Sequence, residues 1–430
     1  MYTHINLIFR GELMIKRLRN FVLPVILLTL CILFVASSLV FIREGWRRDS
    51  EEAAVPEMVE LDFFQMREEA LAGFDSVISA FHEAYPHIRV SQQNVAGAQE
   101  LLLARMQRDD LPSIFTYWPT QLSYLKAVER GSLLPLTDQP FLSRINRAPL
   151  EMARSADGEI YALPINCNCV EVFYNKDLFA TLHLSVPETV EELFDICEIL
   201  EEKGITPCVF TRRDGKIAHA AQGVLAALCP DYLDLLEHAG RGTLNEAEEK
   251  ELTDAFRVLH RFTSFDQPLA LYPAQANRYF LGGKAAMYYA GSYVLGDLVR
   301  GDADFEIGVF PFPGYTREDR VLLWSVDTAI CISAACQHTE EALLFIDFLT
   351  GQEAASVYTD LDMEPSCITD ARQENPVSRA MEQHMSEYRQ AEWIKSRFSY
   401  ETALAFELAV RSYVLDGDMD ALMDELRHIF

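Results

Sequence analysis

Apolar and polar residues first fall into a regular order at Val59. The run Val59-Glu60-Leu61-Asp62-Phe63-Phe64 alternates apolar and polar side chains, the period of a strand. Next, Leu71, Phe74, Ile78, Phe81 and Tyr85 recur at steps of three and four, on one face of a helix. The pattern then predicts a strand over 88–90, a leucine-rich helix over 99–108, a strand over 113–117 and a helix over 120–130. Gly131 follows that helix as a residue suited to a left-handed C-cap.

Beyond Tyr161 the order resumes. Residues 171–174 form a β-rich run, and Thr189-x-x-Glu192 reads as a capping box opening a helix that ends at Gly204. Strands are expected over 286–290 and 305–310, and Pro311-Phe-Pro-Gly314 breaks the chain. A strand-like run covers 324–333, and Thr339 caps a helix to about Leu349. From about Glu374 the chain reads as mostly helical, with Gly417 an interruption. Strands alternating with amphipathic helices argue for a parallel α/β sheet.

The 22 residues 21–42 carry no charge. At 1.5 Å per residue they span roughly 33 Å, enough for the hydrocarbon layer of a membrane. Lys16, Arg17 and Arg19 precede them, and Met14 offers a second possible start. Cleavage after Ala36-Ser37-Ser38 would leave apolar residues behind, and lipidation at Cys31 lacks the small residue normally before the cysteine, since Leu30 stands there. The length of the apolar run favours an uncleaved anchor, with 1–20 a basic cytoplasmic region and 43–56 a linker.

With 430 residues, half of them hydrophobic, the chain can bury more than one core. Its net charge is −28, and beyond the basic first 50 residues the remaining 380 hold 30 basic and 62 acidic side chains. Such a surface repels phosphate backbones, which argues against nucleic-acid binding. Nine cysteines, at 31, 167, 169, 197, 208, 229, 331, 336 and 367, show no C-x-x-C spacing, and most sit in apolar contexts as small buried hydrophobes.

Catalytic signatures are scarce: there is no G-x-S-x-G, no H-E-x-x-H, no phosphate-binding glycine loop and no EF-hand loop. His82 and His87 diverge around a helix axis and make no zinc pair. No enzyme activity, cofactor or metal is expected. Aromatic and amide side chains gather instead where strands give way to loops: Phe63 and Phe64, Tyr117 and Trp118, Asn166 and Asn168, and Tyr293. Ligands of open α/β sheets bind at such ends. Flat rings cover the C–H faces of a sugar while amides pair with its hydroxyls.

Four stretches in order, 61–90 ending FHEAYPHIRV, DGEIYALP with INCNCVEVFYNKDLF, YFLGGKAAMYYAGSYVLGDL, and IGVFPFPG, resemble the family 1 extracellular solute-binding proteins of ABC importers, the maltose-binding, sugar-binding type. The resemblance covers most of 57–350. It implies a periplasmic-binding-protein-like fold of two α/β lobes joined by a multi-crossing hinge, with lobes of 57–167 plus 311–349 and 168–310 plus 350–430. It further implies a monomer on the extracytoplasmic face of the cell membrane, capturing a mono- or oligosaccharide and handing it to permease subunits. A membrane-anchored sensor is the alternative role.

Carried over residue by residue, the resemblance places the cleft at Phe64, Gln65, Tyr117, Trp118, Thr120, Asn166, Asn168, Tyr293, Trp324, Ser325 and Asp327. Departures from the family pattern matter. Tyr293 stands where a stacking tryptophan is usual, Thr120 where an acid is common, and Ser325-Val326 where two glycines are. Arg212, Arg213, Asp214 and Lys216 replace an aromatic platform over 210–219. A charged sugar or a non-sugar solute therefore stands beside a neutral sugar as the expected ligand.

Overall fold

The computed structural model describes residues 25, 28–30, 32–38, 58–213, 216–266 and 271–430. They fall into two compact units, Met1–Met58 and Val59–Phe430. In the first, residues 28–30 and 32–38 are helical and their large apolar side chains stand exposed, Phe34 at 73%. The expected basic region 1–20, the linker 43–56, part of the anchor 21–42 and Cys31 lie outside the described residues. Among the described residues no helix is long and apolar enough to cross a membrane.

The second unit is built on one mixed sheet. Its strands are β1 (Val59–Phe64), β2 (Ile88–Gln93), β3 (Ile114–Tyr117), β4 (Ala162–Asn175), β5 (Thr206–Val209), β6 (Ala285–Gly291), β7 (Ile307–Pro311), β8 (Val321–Ile332) and β9 (Arg389–Ala391). They run in the order β2-β1-β3-β8-β4-β6-β5, with β7 also on β4 and β9 on β8. The expected parallel pairing holds for β1 with β2 and β3 and for β5 with β6. It fails at β4 and β8, which run antiparallel to each other, to β3 and to β6 and β7.

β4 is the strand that joins the two halves of the sheet. Ala162 to Cys169 pair with β8, and Val170 to Asn175 pair with β6 and β7. Its side chains are buried on both faces, so the period of two that betrays a half-covered strand is missing, and only 171–174 read as strand. At Asn166 the register with β8 slips, the mark of a bulge. A second segment pairs there: Cys167 N–H donates to the Pro365 carbonyl at 2.8 Å, and Cys367 N–H to that of Ile165 at 2.8 Å.

Two apolar cores flank this sheet. The first packs Phe63 edge-on to Phe74 at 4.9 Å and Phe81 to Phe345 at 5.2 Å, between β1 and the helices Leu71–Ala84 and Thr339–Leu349. Helix Gln352–Asp362 joins this core: the Tyr358 ring lies 4.8 Å from that of Phe74. Gly73 makes room, since a Cβ there would meet Tyr358 Cδ2 at 2.9 Å. Residues as late as Met381 pack with this first core. The second core surrounds helix Lys216–Leu228 and draws on Phe262, Tyr289, Phe312 and Tyr413.

Candidate ligand-binding cavity

A cavity of about 430 Å³ opens past the ends of β1, β3 and β6 and beside the middle of β4 and β8. That is ample for a small organic ligand, whose sites run from about 300 to 1,000 Å³. Six of the residues nominated from sequence line it: Trp118 and Thr120 just past β3, Asn168 on β4, Tyr293 just past β6, and Ser325 and Asp327 on β8. The Trp118 indole N–H donates to Asp327 Oδ1 at 3.0 Å. Asn168 Oδ1 accepts from the Ser292 N–H and hydroxyl, each at 3.0 Å, which leaves its amide N–H groups for the cavity.

Five nominated residues are placed elsewhere. Phe64 and Trp324 have side chains in the first core. Gln65 is fully buried, its Oε1 accepting from the Arg67 N–H at 2.7 Å. Tyr117 is buried and shares a 2.8 Å bond with Ser123. Asn166 pins the bulge: its amide donates to Asp362 and Glu364, and its Oδ1 accepts from the Thr328 N–H at 2.9 Å. All four positions of β3 are buried because both faces of the sheet are covered, so only the residue past the strand's end reaches the opening.

In the cavity wall Arg67 gathers a charged knot of which sequence reasoning singled out Asp327 alone. Arg67 Nη1 lies 2.6 Å from Glu364 Oε2, 3.0 Å from Asp327 Oδ2 and 3.8 Å from Asp362 Oδ1, and Nε lies 3.3 Å from Glu69 Oε1. Burial works against the guanidinium's charge, and the surrounding carboxylates, Asp327 and Glu364 foremost, overcome it, so the Arg67 pKa stands well above its ordinary value. Burial pushes the Glu364 and Asp362 carboxyls up despite Arg67. Burial also opposes the charge on Glu69, but Arg67 holds that group below its ordinary range.

The rest of the lining comes from segments far along the chain. Helix Lys216–Leu228 presents Lys216, His219 and Gln222, and the C-terminal region presents Trp393, Lys395 and Tyr400. β9 pairs in parallel with β8, and the Ile394 N–H donates to Gln222 Oε1 at 2.9 Å, which together set Trp393 and Lys395 at the cavity. The Lys216 ammonium lies 4.2 Å from the centre of the Tyr293 ring, a cation–π contact. Of the other cations noted in 210–219, Arg212 bonds Asp266 at 2.8 Å and Arg213 donates to the Tyr272 hydroxyl at 3.2 Å; Asp214 lies outside the described residues.

Several polar atoms of lining residues are buried without a partner among the described residues: Arg67 Nη2, His219 Nδ1 and Trp393 Nε1. Burial, then Lys216 and Lys395, push the His219 pKa well down, so the imidazole is neutral. Rings with apolar faces beside unspent hydrogen-bonding groups can hold a polar ring compound. No cluster of metal-ligating side chains occurs among the described residues.

The family model described as bacterial extracellular solute-binding protein matches residues 67–356. The Multiple sugar-binding protein of Streptococcus mutans serotype c is 23% identical over 380 residues, 86% of this chain and 90% of that one. Among solved structures, the solute-binding protein RafE in complex with raffinose has a TM-score of 0.79 at 23% identity, covering 87% of this chain and 99% of its own. A chitin oligosaccharide binding protein has a TM-score of 0.73 at 20% identity, covering 86% and 97%. These likenesses in structure show a shared fold.

Proposed function

Because the chain belongs to the bacterial extracellular solute-binding protein family, whose members bind solutes and are not enzymes, we propose that it captures a saccharide in the cavity at the strand ends and hands it to the permease of an ABC importer. The observation that carries this reading is the cavity's wall, in which the rings of Trp118, Tyr293 and Trp393 stand beside buried polar groups without partners. Rings cover the C–H faces of a pyranose, and unpaired buried donors are costly until a ligand's hydroxyls or other acceptors meet them. Relatives named for multiple sugars, raffinose and chitin oligosaccharide agree with it.

In this reading β4, with its bulge at Asn166, and the segment around Cys367 are the crossings about which the two sides close on the ligand, whose contacts favour the closed state. The uncharged run 21–42 would hold the binding unit at the outer face of the membrane. A thermal-shift screen against neutral and acidic saccharides, amino acids and polyamines tests the function. A ligand at 100 times its dissociation constant adds about 2.7 kcal/mol of stability. A hit among saccharides supports the reading, and a hit confined to amino acids or polyamines replaces it.

A further inference from the structure

Resting on that reading, we propose that the saccharide is acidic, with a carboxylate or phosphate group that the cavity receives between Lys216 and Lys395. Lys216 and Lys395 both line the cavity, and neither has an ion pair among the described residues. Arg67 Nη2 and Trp393 Nε1, both buried without a partner, can only donate. The free hydrogen-bonding capacity of Asn168 is likewise its amide N–H groups.

The carboxylates of the lining are engaged. Asp327 is held by Arg67 and Trp118, and Glu69 by Arg67. Glu100 accepts from the Tyr400 hydroxyl at 2.8 Å. Glu407 and Glu100 act on Lys395 to raise its pKa, yet burial first, and repulsion from Lys216 second, still lower it to about 8. The Lys395 ammonium, disfavoured by burial and by Lys216, is relieved by an anion and not by a neutral hydroxyl. A neutral ring would also have to share Tyr293 with the Lys216 ammonium, which lies over it. An anionic substituent draws that ammonium away and frees the ring for stacking.

Calorimetric titration of the full-length protein with matched pairs tests this: digalacturonate against galactobiose, and glucose 6-phosphate against glucose. The acid member of one pair is expected to bind about tenfold or more tighter at pH 7, the worth of one hydrogen bond to a charged group. Which pair responds separates carboxylate from phosphate. In Lys216→Met and Lys395→Met that preference should fall toward parity, chiefly through weaker binding of the acid member. Lys216→Gln and Lys395→Gln replace them where the ligand-free melting point drops. Equal affinities within both pairs, or a preference that survives both substitutions, overturns the inference and leaves the sugar-binding reading standing. Silence toward all four saccharides from a folded protein overturns both.

Discussion

The Tyr400 hydroxyl donates to Glu100 Oε1 at 2.8 Å, tying helix Tyr400–Asp416 to helix Ala98–Gln107 beside the cavity that both residues line. The bond joins residues 300 positions apart, and it is made at an exposed site where water competes with it. Its net worth is about 1 kcal/mol. In Tyr400→Phe we therefore expect ligand affinity to fall roughly fivefold, chiefly through faster dissociation, with little change in the ligand-free melting point. Stopped-flow displacement of bound ligand measures it.

Arg67 is the one cation within 4.0 Å of Asp362 and Glu364 among the described residues. Removing one partner from a buried charged network typically costs about 3–5 kcal/mol. Arg67→Met should show that loss at pH 7 in urea unfolding. Both carboxyls already have raised pKa values in the fold, so their protonated forms are favoured below the ordinary carboxylate range and the benefit is lost as pH rises through the folded values. The deficit of the variant should accordingly shrink as the pH is lowered toward 5.

Gly291 ends β6 against two cavity residues. A Cβ there would lie 2.5 Å from Tyr293 Cε1 and 2.8 Å from Asn168 Oδ1. Gly291→Ala must push the Tyr293 ring or the Asn168 amide aside, an overpacking cost of about 1–3 kcal/mol. Binding should suffer more than stability, because the displaced groups form the cavity wall. Titration and a thermal melt of the same sample separate the two effects.

Lys395 faces Lys216, Glu407, Glu100, His219 and the Tyr400 ring, and its pKa is lowered from the ordinary 10.5 to about 8, by burial first and Lys216 second. A lowered lysine costs stability while it is charged, and the cost is relieved as pH rises from about 8 toward the unfolded value. Lys395→Met should thus be the more stable protein at pH 7, with the gap closing by pH 10. Affinity for an acidic saccharide should fall between pH 7 and 9.5, with proton uptake on binding near pH 8 in calorimetry.

Sequence reasoning found cavity residues that stand one or two steps past a strand, because strand ends are visible in a chain. Trp118 after β3 and Tyr293 after β6 are of this kind. It could not tell which residues of a doubly covered strand face a core, and so nominated Phe64, Tyr117 and Trp324 with the rest. Asn166 looked like a ligand amide but spends its groups on Asp362, Glu364 and Thr328. Trp393, Lys395 and Tyr400 were missed because long-range pairing of β9 with β8 sets them at the cavity, and nothing in the local helical pattern records it. The α/β class was legible, whereas the antiparallel crossing by β4 and β8 was hidden by their uniform burial.

The central claim is that this cavity binds a saccharide. It is tested most directly by calorimetric titration of the protein and its Trp118→Ala and Tyr293→Ala forms with raffinose, a chitin oligosaccharide and digalacturonate. We expect saturable one-to-one binding of at least one saccharide by the parent, weakened about tenfold or more in both variants, the loss of an aromatic face from a buried site. Binding that survives both substitutions unchanged, or its absence in a folded parent across all three saccharides, would contradict the account.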